Sequence, residues 1–182
     1  MKRRKHLTWI VGCALLFSSC SKNEEEVAPA EAAGKSTTVA AKKMPSKPFK
    51  GSMTFVPSTN YNLPCNCPPT APAYGTLVGT GNITHLGLAT SYIMPCASPT
   101  TTGLDVAMEC AKFVAANGDQ IYTYTYPYQM VFTPTGATGN IVVDFTGGTG
   151  KFTAASGSFT ATVTLTSNGV AVMSNIDGTI SY

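Results

Sequence analysis

Phe159-Thr160-Ala161-Thr162-Val163-Thr164-Leu165-Thr166 is the stretch from which the fold class follows. Apolar side chains occupy every second position and threonine fills the rest. A period of two puts all the apolar groups on one face of an extended chain, which is the pattern of a half-buried strand. The β-branched threonines fit a pleated surface better than a helix. Ile141, Val143 and Phe145 repeat the alternation, as do Leu104, Val106, Met108 and Cys110. In that last run strict alternation sets Asp105, Ala107 and Glu109 on the opposite face.

Working outward, Asn168-Gly169 follows the quoted stretch, and Asn117-Gly118 divides two other such runs. Asn-Gly tolerates positive φ at both centres of a type I′ turn, so each pair predicts a hairpin. Further strands are expected near 53–56, 76–81, 83–93, 129–133 and 170–182, with another starting at Gln120, and no amphipathic helix is expected. About nine short antiparallel strands with glycine-rich turns predict an all-β fold, a small, mostly antiparallel β-barrel with a β-sandwich as the alternative.

Composition agrees. Of 182 residues 43% are apolar but only 12% are charged, about half the usual charged share, and Thr, Ser and Gly make up the difference. The net charge of +3 is carried by Lys2, Arg3, Arg4 and Lys5 at the extreme amino terminus. From Gly51 onward Lys112 and Lys151 face Asp105, Glu109, Asp119, Asp144 and Asp177. This mildly acidic region lacks the basic patch that nucleic-acid binding requires, so no nucleic-acid partner is expected.

The amino terminus reads as a targeting segment. The basic residues precede an apolar run from Leu7 to Phe17, too short for a stable membrane span, and small residues follow at Ser18 and Ser19. Leu16-Phe17-Ser18-Ser19-Cys20 resembles a bacterial lipobox, with Phe17 where leucine is preferred. The resemblance implies cleavage before Cys20, lipid on its sulfur, and anchoring in a membrane. Ser21 after the cysteine implies the outer membrane by likeness to Gram-negative sorting rules. Glu24-Glu25-Glu26 resembles the export tag of surface-exposed lipoproteins, and reads equally as a solvated charge run. The stretch 21–50, rich in Ala, Lys, Glu, Ser and Pro, predicts a disordered tether spanning roughly 30 Å. The expected organisation is therefore a signal peptide at 1–19, a lipid-anchored flexible tether at 20–50 and a β-barrel domain at 51–182.

A second resemblance concerns the domain. Gly79-Thr80-Gly81-Asn82-Ile83-Thr84-His85-Leu86-Gly87 is followed in order by Ala115-Ala116-Asn117-Gly118-Asp119 and Gly147-Gly148-Thr149-Gly150-Lys151-Phe152. Ala155-Ser156-Gly157-Ser158 and Gly178-Thr179-Ile180-Ser181-Tyr182 complete the series. From Thr76 to Tyr182 the chain resembles the bacterial branch of the allene oxide cyclase barrel-like family, with Lys151 in place of a more usual arginine. The resemblance implies a small antiparallel barrel and assigns no catalytic residue.

Few residues offer chemistry. His85 is the only histidine beyond the targeting segment. It reads as a buried hydrogen-bonding side chain on a strand, or else as a proton donor at a barrel mouth. Glu109, if its face looks inward, is a carboxyl in an apolar barrel with a raised pKa and a fair general base; facing outward, the commoner case, it is simply solvated. The run Gly147-Gly148-Thr149-Gly150 lacks the Lys-Ser/Thr ending and the helix of a phosphate loop. Tyr122, Tyr124, Tyr126 and Tyr128 alternate on one face, as a stacking surface for sugars or, more commonly, as cross-strand packing, and Pro127 marks an edge or bulge. No cofactor and no metal site is expected.

Cys65, Cys67, Cys96 and Cys110 read as two disulfides in an exported chain. A Cys65–Cys67 ring would be strained, which argues against that connectivity. Chain order does not separate the other two, and Cys65–Cys110 with Cys67–Cys96 is preferred. Two crosslinks compensate for a loop at 57–73 with almost no apolar residues.

These readings predict a lipid-anchored envelope lipoprotein whose barrel is a non-enzymatic ligand-binding or structural module. The alternatives are an isomerase or cyclase acting on an apolar substrate inside the barrel, and a glycan-binding adhesin. Close packing inside the barrel favours the first; an open apolar cavity holding Glu109 or His85 favours the isomerase.

Overall fold

The computed structural model describes residues 44–61 and 63–182. The expected signal segment, Cys20, the acidic run and the expected tether up to residue 43 lie outside the described residues.

The chain forms β1 (Ser46–Ser58), β2 (Thr76–Ile83), β3 (Gly87–Pro99), β4 (Gly103–Val114) and β5 (Gln120–Thr125). Then come β6 (Tyr128–Thr133), β7 (Gly136–Gly148), a 3-10 turn at Gly150–Phe152, β8 (Ser156–Thr166) and β9 (Ala171–Ser181). Every pairing is antiparallel. β1 lies between β2 and β9, β3 joins β2 to β4, and β8 joins β7 to β9. β5 and β6 share the place between β4 and β7: β5 pairs with Cys110–Val114 of β4, and β6 with Gly103–Val106. The result is a closed eight-strand antiparallel barrel with one extra strand. Each strand has a neighbour on both sides, so the barrel expectation holds and the sandwich alternative does not.

The interior is filled unevenly. At one end Phe49, Phe113, Phe145 and Phe159 meet with ring centroids 4.8–6.2 Å apart. Buried Leu86 and Phe152 pack into this end, and Tyr182 lies edge-on to Phe152 at 4.8 Å. Gly79 is needed for the core to form, since a Cβ there would sit 2.3 Å from the ring of its cross-strand partner Phe55.

Three expectations are corrected. The barrel begins at Ser46, inside the expected tether: Phe49 is fully buried opposite Gly178, and Lys50 pairs with Asp177 at 3.1 Å. One aromatic between Pro48 and Lys50 is too short a run to show alternation. The expected strand at 83–93 is broken, because the chain turns at Thr84–Leu86 with His85 at φ +68°. Both Asn-Gly pairs do turn hairpins, but not as type I′. Only Gly118 (φ +88°) and Gly169 (φ +83°) take positive φ. The N–H of Ala115 donates to the carbonyl of Asp119 at 2.8 Å, and that of Thr166 to Val170 at 2.8 Å, which makes three-residue loops. The asparagine side chains brace them instead, Asn117 Oδ1 accepting from the Asp119 N–H at 3.2 Å and Asn168 Oδ1 from the Val170 N–H at 3.4 Å.

Candidate ligand cavity in the barrel

The other half of the barrel is hollow. A cavity of about 370 Å³ opens among the carboxyl ends of β1, β3 and β8, the amino ends of β2, β4 and β9, and β6. Its walls are apolar, with Ile93, Pro95, Ala97, Leu104, Val106 and Met130 among them. Phe55, Ala171 and Met173 belong both to the cavity wall and to the packed core, so they form the boundary between the two halves. Ser58, Thr59, Tyr74 and Thr76 supply polar groups where the strands end.

Glu109 lines this cavity, and two irregularities bring its polar group there. The first is in β4. Cys96 pairs with Met108 and Ala97 with Val106, so Ala107 is an extra residue, a β-bulge. The bulge reverses the alternation: Leu104 and Val106 face the cavity before it, Glu109 after it, and Ala111 and Phe113 pack into the core beyond. The single face expected for Leu104, Val106, Met108 and Cys110 is thus split, and Glu109 points inward because of it. The second irregularity is the break at Tyr126-Pro127, between β5 and β6. Proline cannot donate to the ladder, and the strand restarts at Tyr128 with its side chain inside. Tyr128 therefore does not belong to the outward tyrosine face.

The Tyr128 hydroxyl donates to Glu109 Oε1 at 2.5 Å. Burial among apolar walls pushes the Glu109 carboxyl above the ordinary carboxylate range, because the charged form loses its water; hydrogen bonds from Tyr128 and Thr125 oppose this only in part. Burial and the adjacent carboxylate push the Tyr128 hydroxyl up as well, so it stays a proton donor. Glu109 is half-buried rather than sealed, as expected for a group that faces a cavity.

The other candidate residues lie elsewhere. His85 is exposed in the turn between β2 and β3, at the phenylalanine-filled end, neither buried on a strand nor at the cavity. Its ring meets Tyr182 edge-on at 6.0 Å, and its carbonyl accepts from Lys151 Nζ at 3.1 Å. Tyr122, Tyr124 and Tyr126 are exposed along β5 and the break after it, with Tyr126 donating to Asp144 Oδ2 at 2.7 Å.

The cysteines form Cys65–Cys110 and Cys67–Cys96, with Cα atoms 5.7 and 5.4 Å apart. This is the preferred connectivity. The Sγ atoms of Cys65, Cys67 and Cys96 cluster, but in disulfides they offer no thiolate to a metal. The bridges hold the β1–β2 loop against β3 and β4. Packing contributes more to that loop than its composition promises: Leu63 and Ala71 are buried, and Tyr61 stacks on Tyr92 at 4.1 Å. The loop ends at Tyr74 and Gly75 in the cavity wall, where the Tyr74 N–H donates to the Pro95 carbonyl at 2.9 Å.

Sequence reasoning missed the cavity and Tyr128. Pro127 was the available signal for the second, since a proline inside an alternating run announces that the face after it need not match the face before it. Compared with known proteins, the chain matches no family model, no curated protein and no solved structure.

Proposed function

We propose that this chain is a lipid-anchored cell-envelope protein whose barrel holds a small, mostly apolar molecule and performs no chemistry on it. The observation that carries the ligand reading is the apolar cavity of about 370 Å³ with the Glu109–Tyr128 pair in its wall. That volume falls within the range of small-molecule sites, which are mostly apolar and contain a few placed polar groups. A purely structural module has no use for a carboxyl in an apolar interior, where it costs stability. The envelope reading rests on the lipobox-like Leu16–Cys20 and the residues around it.

The neutral dye prodan, which brightens in apolar surroundings, tests the cavity. Saturable binding at one site per chain is expected, and Ala97→Phe, which fills the cavity, should abolish it while leaving the circular dichroism of the barrel unchanged. Equal binding by this variant would overturn the reading. For the anchor, Cys20→Ala is expected to move the protein from the membrane pellet to the soluble fraction; a mutant that still pellets like wild type would refute lipidation at Cys20.

A second reading, an isomerase or cyclase acting on an apolar substrate, is favoured by one observation: the cavity is open and contains Glu109, a carboxyl poised as a base. It ranks second because His85 lies at the far end, and of the groups lining the cavity Tyr128 is the one bonded to the carboxyl. A glycan-binding surface on Tyr122, Tyr124 and Tyr126 is a third, favoured by their exposure.

A further inference from the structure

We infer that the occupant of the cavity is an apolar molecule ending in a primary amine, with its ammonium group held by the Glu109 carboxylate. This rests on the cavity being a ligand site and adds which chemical class it takes.

The argument begins with charge. Among the residues lining the cavity, Glu109 is the one with an acidic side chain, and no Lys, Arg or His stands among them. The other titratable groups there are Tyr128 and Tyr74, and neither supplies a cation. A ligand carboxylate would meet no cation and one acid, and two carboxylates cannot both ionise in one apolar site.

The hydrogen bonds narrow the class further. The Tyr128 hydroxyl donates its proton to Glu109 Oε1 at 2.5 Å. That hydroxyl proton is thus directed at the carboxylate and is not free for a ligand. What Glu109 still presents is acceptor lone pairs, so the complementary ligand group is a donor. An alcohol is a neutral donor. An ammonium is a charged one, and hydrogen bonds between two ionised partners are the stronger kind. It also supplies the counter-charge that the cavity walls do not offer a carboxylate. The apolar walls then take the hydrocarbon body.

The test is a competition against prodan with three molecules of one size: octylamine, octanol and octanoate. Octylamine is expected to displace the dye at about tenfold lower concentration than octanol, with octanoate weakest. The amine's advantage should shrink as pH falls through the raised Glu109 range, because the carboxyl takes up a proton and the pair is lost. In Glu109→Gln the amine should fall to the level of octanol, with the circular dichroism of the barrel unchanged to show that the variant is folded. Octanol or octanoate binding as tightly as octylamine to the wild type would overturn the inference and leave the cavity reading standing. So would an amine preference that survives in Glu109→Gln. If prodan itself fails to bind, both fall together.

Discussion

Glu109 is the clearest case of a residue whose placement works against the fold. Its wall partners Leu104, Val106 and Met130 are apolar, and its carboxyl is held above the ordinary range by the loss of water. The native state therefore holds that proton more tightly than the unfolded chain. This contribution to stability is fully present below the unfolded value, 4.5 for a free glutamate, and is lost as pH rises through the raised native value. Glu109→Gln keeps an acceptor for the Tyr128 hydroxyl and removes the charge. The variant is expected to gain stability over wild type near neutral pH and to lose that gain at acid pH, read from urea unfolding across a pH series. A difference that does not change with pH would show that Glu109 is solvated in the native state.

At the scale of elements, the disulfide-bound loop between β1 and β2 forms part of the cavity wall through Thr59, Tyr74 and Gly75. Crosslinks mainly restrict the unfolded chain, and each typically contributes about 2–4 kcal/mol. Replacing Cys67 and Cys96 together by serine is expected to lower unfolding free energy by about that amount, measured in urea. The retained Cys65–Cys110 bridge should keep the loop in place, so prodan binding should persist with reduced affinity; a variant as stable as wild type would argue that packing of Leu63 and Tyr61 alone holds the loop. How far each element was legible depends on how regular it is. β8 alternates throughout, so its burial can be read from Phe159, Ala161, Val163 and Leu165 directly. β4 alternates too, but Ala107 inserts one residue, and nothing about an alanine announces a bulge; its existence depends on which residue of β3 stands opposite. The amino end of β1 was invisible for a similar reason, since Phe49 and Lys50 are explained only by Gly178 and Asp177 far along the chain. The cavity is less legible still. It is a volume left over by many walls, and no single stretch of sequence encodes it.

For the whole molecule, the folded unit extends to Ser46, which changes what a protease should find. The Lys50–Gly51 bond lies inside β1 between two ladders. Limited trypsin is expected to leave it intact in the native protein, giving a resistant core that mass spectrometry finds to begin before Ser46. A core beginning at Gly51 would show that the first residues of β1 are not part of the barrel. The same pairing has a consequence in time. Ser46 stands opposite Ser181, so the first strand finds one of its two neighbours only in the last. A growing chain that has made eight strands still has an open seam, and no local rearrangement can seal it. Closure is thus a late, long-range event that must wait for β9, and topologies dominated by such distant contacts fold slowly. Until then the molecule is an unzipped sheet with two sticky margins, which makes the interval between synthesis and closure its most aggregation-prone moment.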